Sequence, residues 1–278
     1  MNIKDKDLTP FFLGPCVLES ETLVRTVAEV LAKLQQDLKS EAKIYFKGSF
    51  DKANRSSIDS YRGPGLEEGL KLLELVKKEF GLPTVTDLHE EAQVTPVAEV
   101  VDVLQIPAFL CRQTSLVVAA AKACDQYKRI LNVKKGQFLS PPEVKNIVDK
   151  VAPFLPLNQL YITERGSSFG YNYLVVDMSA FSLMQSFGAR LIFDATHSAQ
   201  RPGGLGKSTG GARASIPLLA RAAVAAGCDG LFMECHPNPP KALSDATTQI
   251  PLAFITSMVK ELVELKKWSA SHPFPELE

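Results

Sequence analysis

Eight short apolar, β-rich runs recur along the 278 residues, and a longer amphipathic stretch follows each. The runs cover 11–19 (FFLGPCVLE), 43–50, 82–89, 101–109, 129–135, 159–165, 189–197 and 229–237. The stretches after them cover 20–39, 64–80, 90–99, 113–127, 140–154, 178–187, 211–227 and 251–268. In the first of these Val24, Val27, Leu31 and Leu34 recur at helical spacing. Ser20 and Ser140 stand where N-caps belong, and Gly188 and Gly227 where helices end. Near-continuous apolar strands are buried on both faces, which calls for a parallel sheet between helices. Eight such repeats, in a length close to the roughly 250 residues of a closed barrel, predict an α/β fold. The expectation is a (β/α)8 TIM barrel, with residues 1–278 forming a single domain. An open doubly wound sheet is the alternative. It usually has fewer strands and a Gly-rich first turn, and GPCVLES contains no GxGxxG.

In a parallel barrel, chemistry sits at the C-terminal ends of the strands. Read in order, those ends carry Cys16, Lys47, Asp87 with His89, Gln105, Asn132 with Lys135, Arg165, His197 and Glu234. Burying these groups separately, without partners, would be costly. Their convergence on one polar pocket is the economical reading. Taken singly, each has a bland role: an inert core cysteine, a hydrogen-bonded structural histidine, a lysine reaching water. Taken together, Cys16, His197 and Glu234 lie on the first, seventh and eighth runs, and Asp245 follows the eighth. Thiolate, imidazole and two carboxylates suit zinc, iron or manganese. No local spacing motif supports the ion, so a metal site and plain packing both stand at this point.

Lys47, Lys52, Arg55, Arg112, Lys135 and Arg165 form a second group at strand ends and adjoining loops. The whole chain balances 31 basic against 31 acidic residues, so it offers no general attraction to nucleic acid or to an anionic membrane. A local cluster of cations then reads either as a phosphate and carboxylate site or as a solvated rim. No apolar run approaches the ~20 residues of a bilayer span. The start, MNIKDKDLTP, lacks a signal-peptide core. Five scattered cysteines fit a reducing compartment, and the expected location is cytoplasmic. RPGGLGKSTGGA, at 201–212, imitates a phosphate-binding P-loop. The Walker pattern needs glycine where Arg201 stands, so this reads as a Gly-rich lid over the mouth.

Seven segments in colinear order resemble 3-deoxy-D-manno-octulosonate 8-phosphate synthases. They are KANRSS (52–57), TDLHE (86–90), QIPAFLCRQTSL (105–116), NVKKGQF (132–138), TERGSSFGYN (163–172), DATHSAQ (194–200) and HPNPPKALSDATTQ (236–249). The resemblance implies a TIM barrel, usually homotetrameric, that condenses phosphoenolpyruvate with arabinose 5-phosphate for lipopolysaccharide synthesis. The family's metal-dependent branch has cysteine at the position of Cys16, where the metal-independent branch has asparagine. ALSDATTQ is also typical of the metal branch. The resemblance therefore implies a divalent transition metal on Cys16, His197, Glu234 and Asp245. It implies catalytic roles for Lys52, His197, Asp245 and Cys16. Lys47, Lys52, Arg112, Lys135 and Arg165 would hold phosphoenolpyruvate; Asn54, Arg55 and Ser56 would hold the sugar phosphate. Asp87 would bond the sugar hydroxyls, and Gln105 belongs to the same pocket.

Three rivals follow. A DAHP synthase would use erythrose 4-phosphate and tends to carry a KPRTS-like segment in place of KANRSS. A Schiff-base aldolase would use Lys47 or Lys135 as nucleophile. A non-catalytic anion-binding barrel would bind phosphate without turnover.

Overall fold

The computed structural model describes residues 8–54, 57–170, 173–201 and 210–273. Eight parallel strands close on themselves: β1 (Thr9–Gly14), β2 (Ala42–Lys47), β3 (Thr84–Asp87), β4 (Val103–Ile106), β5 (Ile130–Lys134), β6 (Leu160–Glu164), β7 (Arg190–Asp194) and β8 (Gly230–His236). Each neighbour pairs with the next, and β1 pairs with β8 through Phe11–Leu231 to Gly14–Glu234. The outer ring consists of α1 (Glu21–Asp37), α2 (Leu66–Phe80), α3 (Val94–Val100), α4 (Thr114–Tyr127), α5 (Val144–Val151), α6 (Ala180–Gln185), α7 (Ile216–Ala225) and α8 (Leu252–Ser271). The fold is the expected (β/α)8 barrel, and every barrel strand overlaps its run. No helix among the described residues is long and apolar enough to cross a membrane.

The helix ends follow local chemistry. Ser20 accepts a hydrogen bond from the Leu23 amide at 3.2 Å and starts α1. Ser140 and Glu143 form a capping box before α5. Gly188 and Gly227 have φ of 89° and 95°, which glycine adopts without a Cβ clash.

Strand side chains alternate between the two faces of the barrel wall. Phe11, Leu13, Ile44, Phe46, Leu131 and Val133 point outward into the core under the helices. Their neighbours point inward. Phe12, Tyr45, Val85, Val103, Ile130, Tyr161, Ile192 and Phe232, one from each strand, form a separate buried plug. Phe12 packs between the rings of Tyr45 and Tyr161, with centroids 5.0 and 6.1 Å away. The interior below the site is therefore filled.

Candidate active site

Two residues beyond each plug residue, the same period places Gly14, Lys47, Asp87, Gln105, Asn132, Thr163, Asp194 and Glu234 on the inner face. Apolar floor thus gives way to polar layer within one step on seven of the eight strands, Gly14 being the exception. Gly14 is required there, because a Cβ would stand 2.0 Å from the Lys47 carbonyl oxygen. Above this layer opens a cavity of about 570 Å³ lined by, among others, Lys47, Lys52, Asn54, Asp87, Gln105, Lys134, Arg165, His197, Glu234 and Asp245.

Cys16 lies just past β1 and is fully buried. Its Sγ is 3.0 Å from Asp245 Oδ2 and 3.0 Å from Ser244 Oγ. Ligand atoms of Cys16, Glu234 and Asp245 all lie within 4.8 Å of one another. The Asp245 backbone is left-handed, with φ of 47°, a region aspartate tolerates better than most residues. Gln249 accepts from the Cys16 amide at 3.3 Å and donates to the Ser244 carbonyl at 2.8 Å, binding this loop to β1. His197 belongs to a one-turn helix, Ala195–Ser198, capped by Asp194. Its Nδ1 faces Asp194 Oδ2 at 2.7 Å, and its Nε2 lies 3.7 Å from Glu234 Oε1 and 3.8 Å from Asp245 Oδ2. The four residues singled out from the sequence therefore meet. Glu234 Oε1 accepts from Lys47 Nζ at 2.7 Å, while the buried Oε2 has no hydrogen-bond partner among the described residues. An open carboxylate oxygen, an oriented imidazole, a thiol and a second carboxylate together fit a borderline divalent cation.

Burial, then Asp245 and Glu234, push the Cys16 thiol well above its ordinary pKa. A metal ion taken up here would displace that proton, since thiolate is the ligand. Burial alone would raise the Asp87 carboxyl, but Lys47 and Lys52 outweigh it and hold it below the usual carboxylate range. Asp194 is likewise held low: burial opposes, and His197 and Lys134 prevail. Carboxylates depressed in the folded state lend stability above the unfolded value of about 4 and lose it as pH falls towards the folded value. The denaturation midpoint is accordingly expected to hold from neutrality to about pH 5 and to drop steeply below about pH 4. Chemical denaturation across that range checks this.

Two expected contacts are absent from the cavity. Lys135 follows Lys134 on β5, so its side chain takes the opposite direction. Its Nζ is fully buried and bonded to the Gly136 and Leu139 carbonyls and to Ser167, 3.3 Å from Glu164. Lys134 is the inward residue, with Nζ 2.6 Å from Asp194 and 3.6 Å from the centre of the Phe232 ring. Parity from Ile130 and Asn132 would have singled it out. Arg112 is exposed, 3.8 Å from Glu143, and lines a separate cleft with Asn146 and Lys150. Arg55, Ser56 and residues 202–209 of the expected lid lie outside the described residues. Asp194 and Gln200 were not singled out as site residues. Asp194 leaves a trace as the N-cap three residues before His197. Gln200, which donates to Asp245 Oδ1 at 3.1 Å and accepts from Arg165 at 2.8 Å, leaves none. Asp194→Asn would give His197 Nδ1 an amide in place of its carboxylate. A loss of about 10–100-fold in metal affinity or activity is expected, read by metal titration and turnover.

A closed (β/α)8 barrel with buried cations and a thiol–imidazole–carboxylate cluster at its C-terminal mouth is the architecture of an enzyme. A model of the DAHP synthetase I family matches residues 3–269. Proteins named 2-dehydro-3-deoxyphosphooctonate aldolase match it over most of their length. The one from Trichlorobacter lovleyi is 52% identical over 252 residues, 91% of this chain and 90% of its own. The one from Synechococcus sp. is 52% identical over 256 residues, 92% and 88%. That from Variovorax paradoxus is 49% identical over 274 residues, 96% and 94%. The chain belongs to the DAHP synthetase I family and groups within it with these octulosonate-phosphate enzymes, as its seven segments had implied.

Proposed function

We propose that this enzyme condenses phosphoenolpyruvate, D-arabinose 5-phosphate and water to give 3-deoxy-D-manno-octulosonate 8-phosphate and inorganic phosphate. The observation that carries the reading is one cavity lined by Lys47, Lys52, Lys134 and Arg165 together with His197, Glu234 and Asp245, with Cys16 buried against Asp245. The names of the relatives support the octulosonate product. The enol C3 attacks the sugar aldehyde, forming the C–C bond and turning the carbonyl oxygen into a hydroxyl. Water adds at C2, and cleavage of the C2–O bond expels phosphate.

The residues divide the work by charge. Arg165 is a buried guanidinium whose NH2, among the described residues, meets the neutral oxygens of Gln200 Oε1 and the His197 carbonyl, and whose Nε has no partner among them. It suits the phosphate of the enol substrate. Lys52, 3.9 Å from Asp245, and Lys134 offset the remaining negative charge, as two anionic substrates must share one cavity. Asn54, with Arg55 and Ser56, is assigned to the sugar phosphate, and Asp87 and Gln105 to its hydroxyls. Cys16, His197, Glu234 and Asp245 would hold a divalent zinc, iron or manganese ion. When bound, such an ion would polarise a carbonyl or acidify a water. Asp194 keeps the His197 Nε2 turned inward. A homotetramer is proposed from the family resemblance, with exposed Phe138 and Phe169 as apolar surface that an interface would cover, which sedimentation would check.

Phosphate release with phosphoenolpyruvate and each sugar phosphate tests the reading. Arabinose 5-phosphate is expected to turn over at least about a hundredfold better than erythrose 4-phosphate by kcat/KM. The reverse order would assign the chain to the DAHP activity. The Schiff-base rival loses Lys135, which faces away from the cavity, and Lys47 is ion-paired to Glu234, which leaves Lys134 as a cavity lysine that such a reaction would use. Borohydride with a carbonyl substrate is expected to leave the chain unmodified.

A further inference from the structure

A chain of hydrogen bonds crosses four strands just above the apolar plug. Thr163 Oγ1 donates to Asn132 Oδ1 at 2.7 Å, and Asn132 Nδ2 donates to Gln105 Oε1 at 2.8 Å. Gln105 Nε2 donates to Asp87 Oδ1 at 2.5 Å, and Ser49 Oγ donates to the other oxygen, Oδ2. Parallel register sets the spacing, since Asp87 pairs with Gln105 and Gln105 with Asn132. Thr163 and Asn132 are fully buried and do not line the cavity, whereas Gln105 and Asp87 do.

The direction of this belt follows from its charged end. An ionised carboxylate only accepts, so Gln105 must present its NH2 to Asp87 and its oxygen to Asn132. Asn132 must then present its NH2 to Gln105 and its oxygen to the Thr163 hydroxyl, which must donate. Each amide has one orientation that satisfies both neighbours. Reversing any one of them sets two acceptors, or two donors, against each other in a buried site.

We propose that Thr163 and Asn132 are positioning residues: acting through Gln105, they hold Asp87 as a fixed, acceptor-only carboxylate on the floor of the cavity, aimed at a hydroxyl of the sugar phosphate. The identity of that hydroxyl's owner rests on the function proposed above. Among the described residues, the charged and titratable groups that act most strongly on Asp87 are Lys47 on β2, Lys52 in the loop after it, His89 beyond β3 and Lys134 on β5. All four are bases, so they favour the ionised form that the belt requires.

Asn132→Asp separates this role from simple packing. While protonated, the introduced carboxyl reproduces the amide, its O–H donating to Gln105 and its C=O accepting from Thr163. Once ionised, it turns a second acceptor on Gln105. Its folded pKa is therefore raised, and the damage it causes grows as pH rises. At about pH 8 this variant is expected to lose at least about tenfold in kcat, and near pH 5.5 to return to within about threefold of wild type. Asn132→Leu should show an equal deficit at both pH values. Thr163→Val, nearly the same shape, should lower kcat or raise the KM for the sugar phosphate by about three- to tenfold, leaving the KM for phosphoenolpyruvate within about twofold.

Thermal unfolding of the same proteins at both pH values reads the belt without any substrate. The melting deficit of Asn132→Asp is expected to shrink on acidification, and that of Asn132→Leu to stay. A deficit in Asn132→Asp that is the same at both pH values would overturn the proposal. So would a Thr163→Val enzyme with wild-type kinetics. If the wild type fails to turn over arabinose 5-phosphate, the functional reading falls while the melting comparison still judges the belt.

Discussion

Cys16→Ala is expected to abolish both stoichiometric metal and turnover. The thiol sits 3.0 Å from Asp245 and within 4.8 Å of the Glu234 donor, at the closed end of the cluster. Alanine removes the only soft donor of the set and leaves one imidazole and two carboxylates, which bind zinc or iron less tightly. Bound metal should fall well below one ion per chain, and kcat by on the order of a hundredfold or more, beyond the roughly 10–100-fold range of outer-sphere changes. Exhaustive dialysis of the wild type against a chelator should reproduce the loss, and one equivalent of divalent metal should restore it. Elemental analysis beside the phosphate-release assay reads both. A wild-type enzyme that keeps full activity through chelation, with no metal in the purified protein, would end the assignment. The fold itself should survive, because the Cys16 side chain is a small part of a large core.

Lys47→Met should have the largest effect on stability. Lys47 Nζ bonds Glu234 Oε1 at 2.7 Å and the Cys16 carbonyl at 2.8 Å, with both side chains of the ion pair almost wholly buried. Removing one partner of a buried pair leaves the other charge uncompensated, at a cost of about 3–5 kcal/mol. For a chain of this size that corresponds to a melting temperature lower by on the order of 10 °C. Burial raises the Glu234 pKa, and Lys47 is the first of the cations that bring it down. Without Lys47 the carboxyl titrates higher, so the deficit is greatest at neutral and alkaline pH and eases as pH falls. The comparison belongs on chelated protein, because a metal ion on Glu234 would replace the lost positive charge. Added divalent cation should therefore recover more stability in the variant than in the wild type. A chelated variant that melts within about 2 °C of wild type would show that the pair contributes little.

The strands and helices were legible because their signals are local. Alternation of apolar runs with amphipathic stretches, Ser20 and Ser140 at helix starts, and Gly188 and Gly227 at helix ends each depend on neighbours within one turn. The candidate site cluster was legible in position, since Cys16, His197, Glu234 and Asp245 all fall at strand ends or just beyond. Lys135 and Arg112 show where this reading fails. Both belong to segments that resemble the family, yet position along the chain leaves open which way a side chain points. On β5 one step in sequence exchanges the two faces of the wall, so Lys134 enters the cavity and Lys135 leaves it. Arg112 stands two residues before α4, and its guanidinium turns outward to Glu143. Gln200 and Gln249 were silent because an amide gains meaning only from its partners.

By itself, the order of residues determined that this chain makes eight parallel strands, that polar groups collect at one end of them, and which broad chemistry those groups can do. Only barrel closure brought Cys16 against Asp245, 229 residues away in sequence, and aligned Thr163, Asn132, Gln105 and Asp87 into one directed belt. The physical reason is that propensity and capping act over a few residues, whereas side-chain direction and long-range contact are set by strand register, which exists only once the sheet has closed.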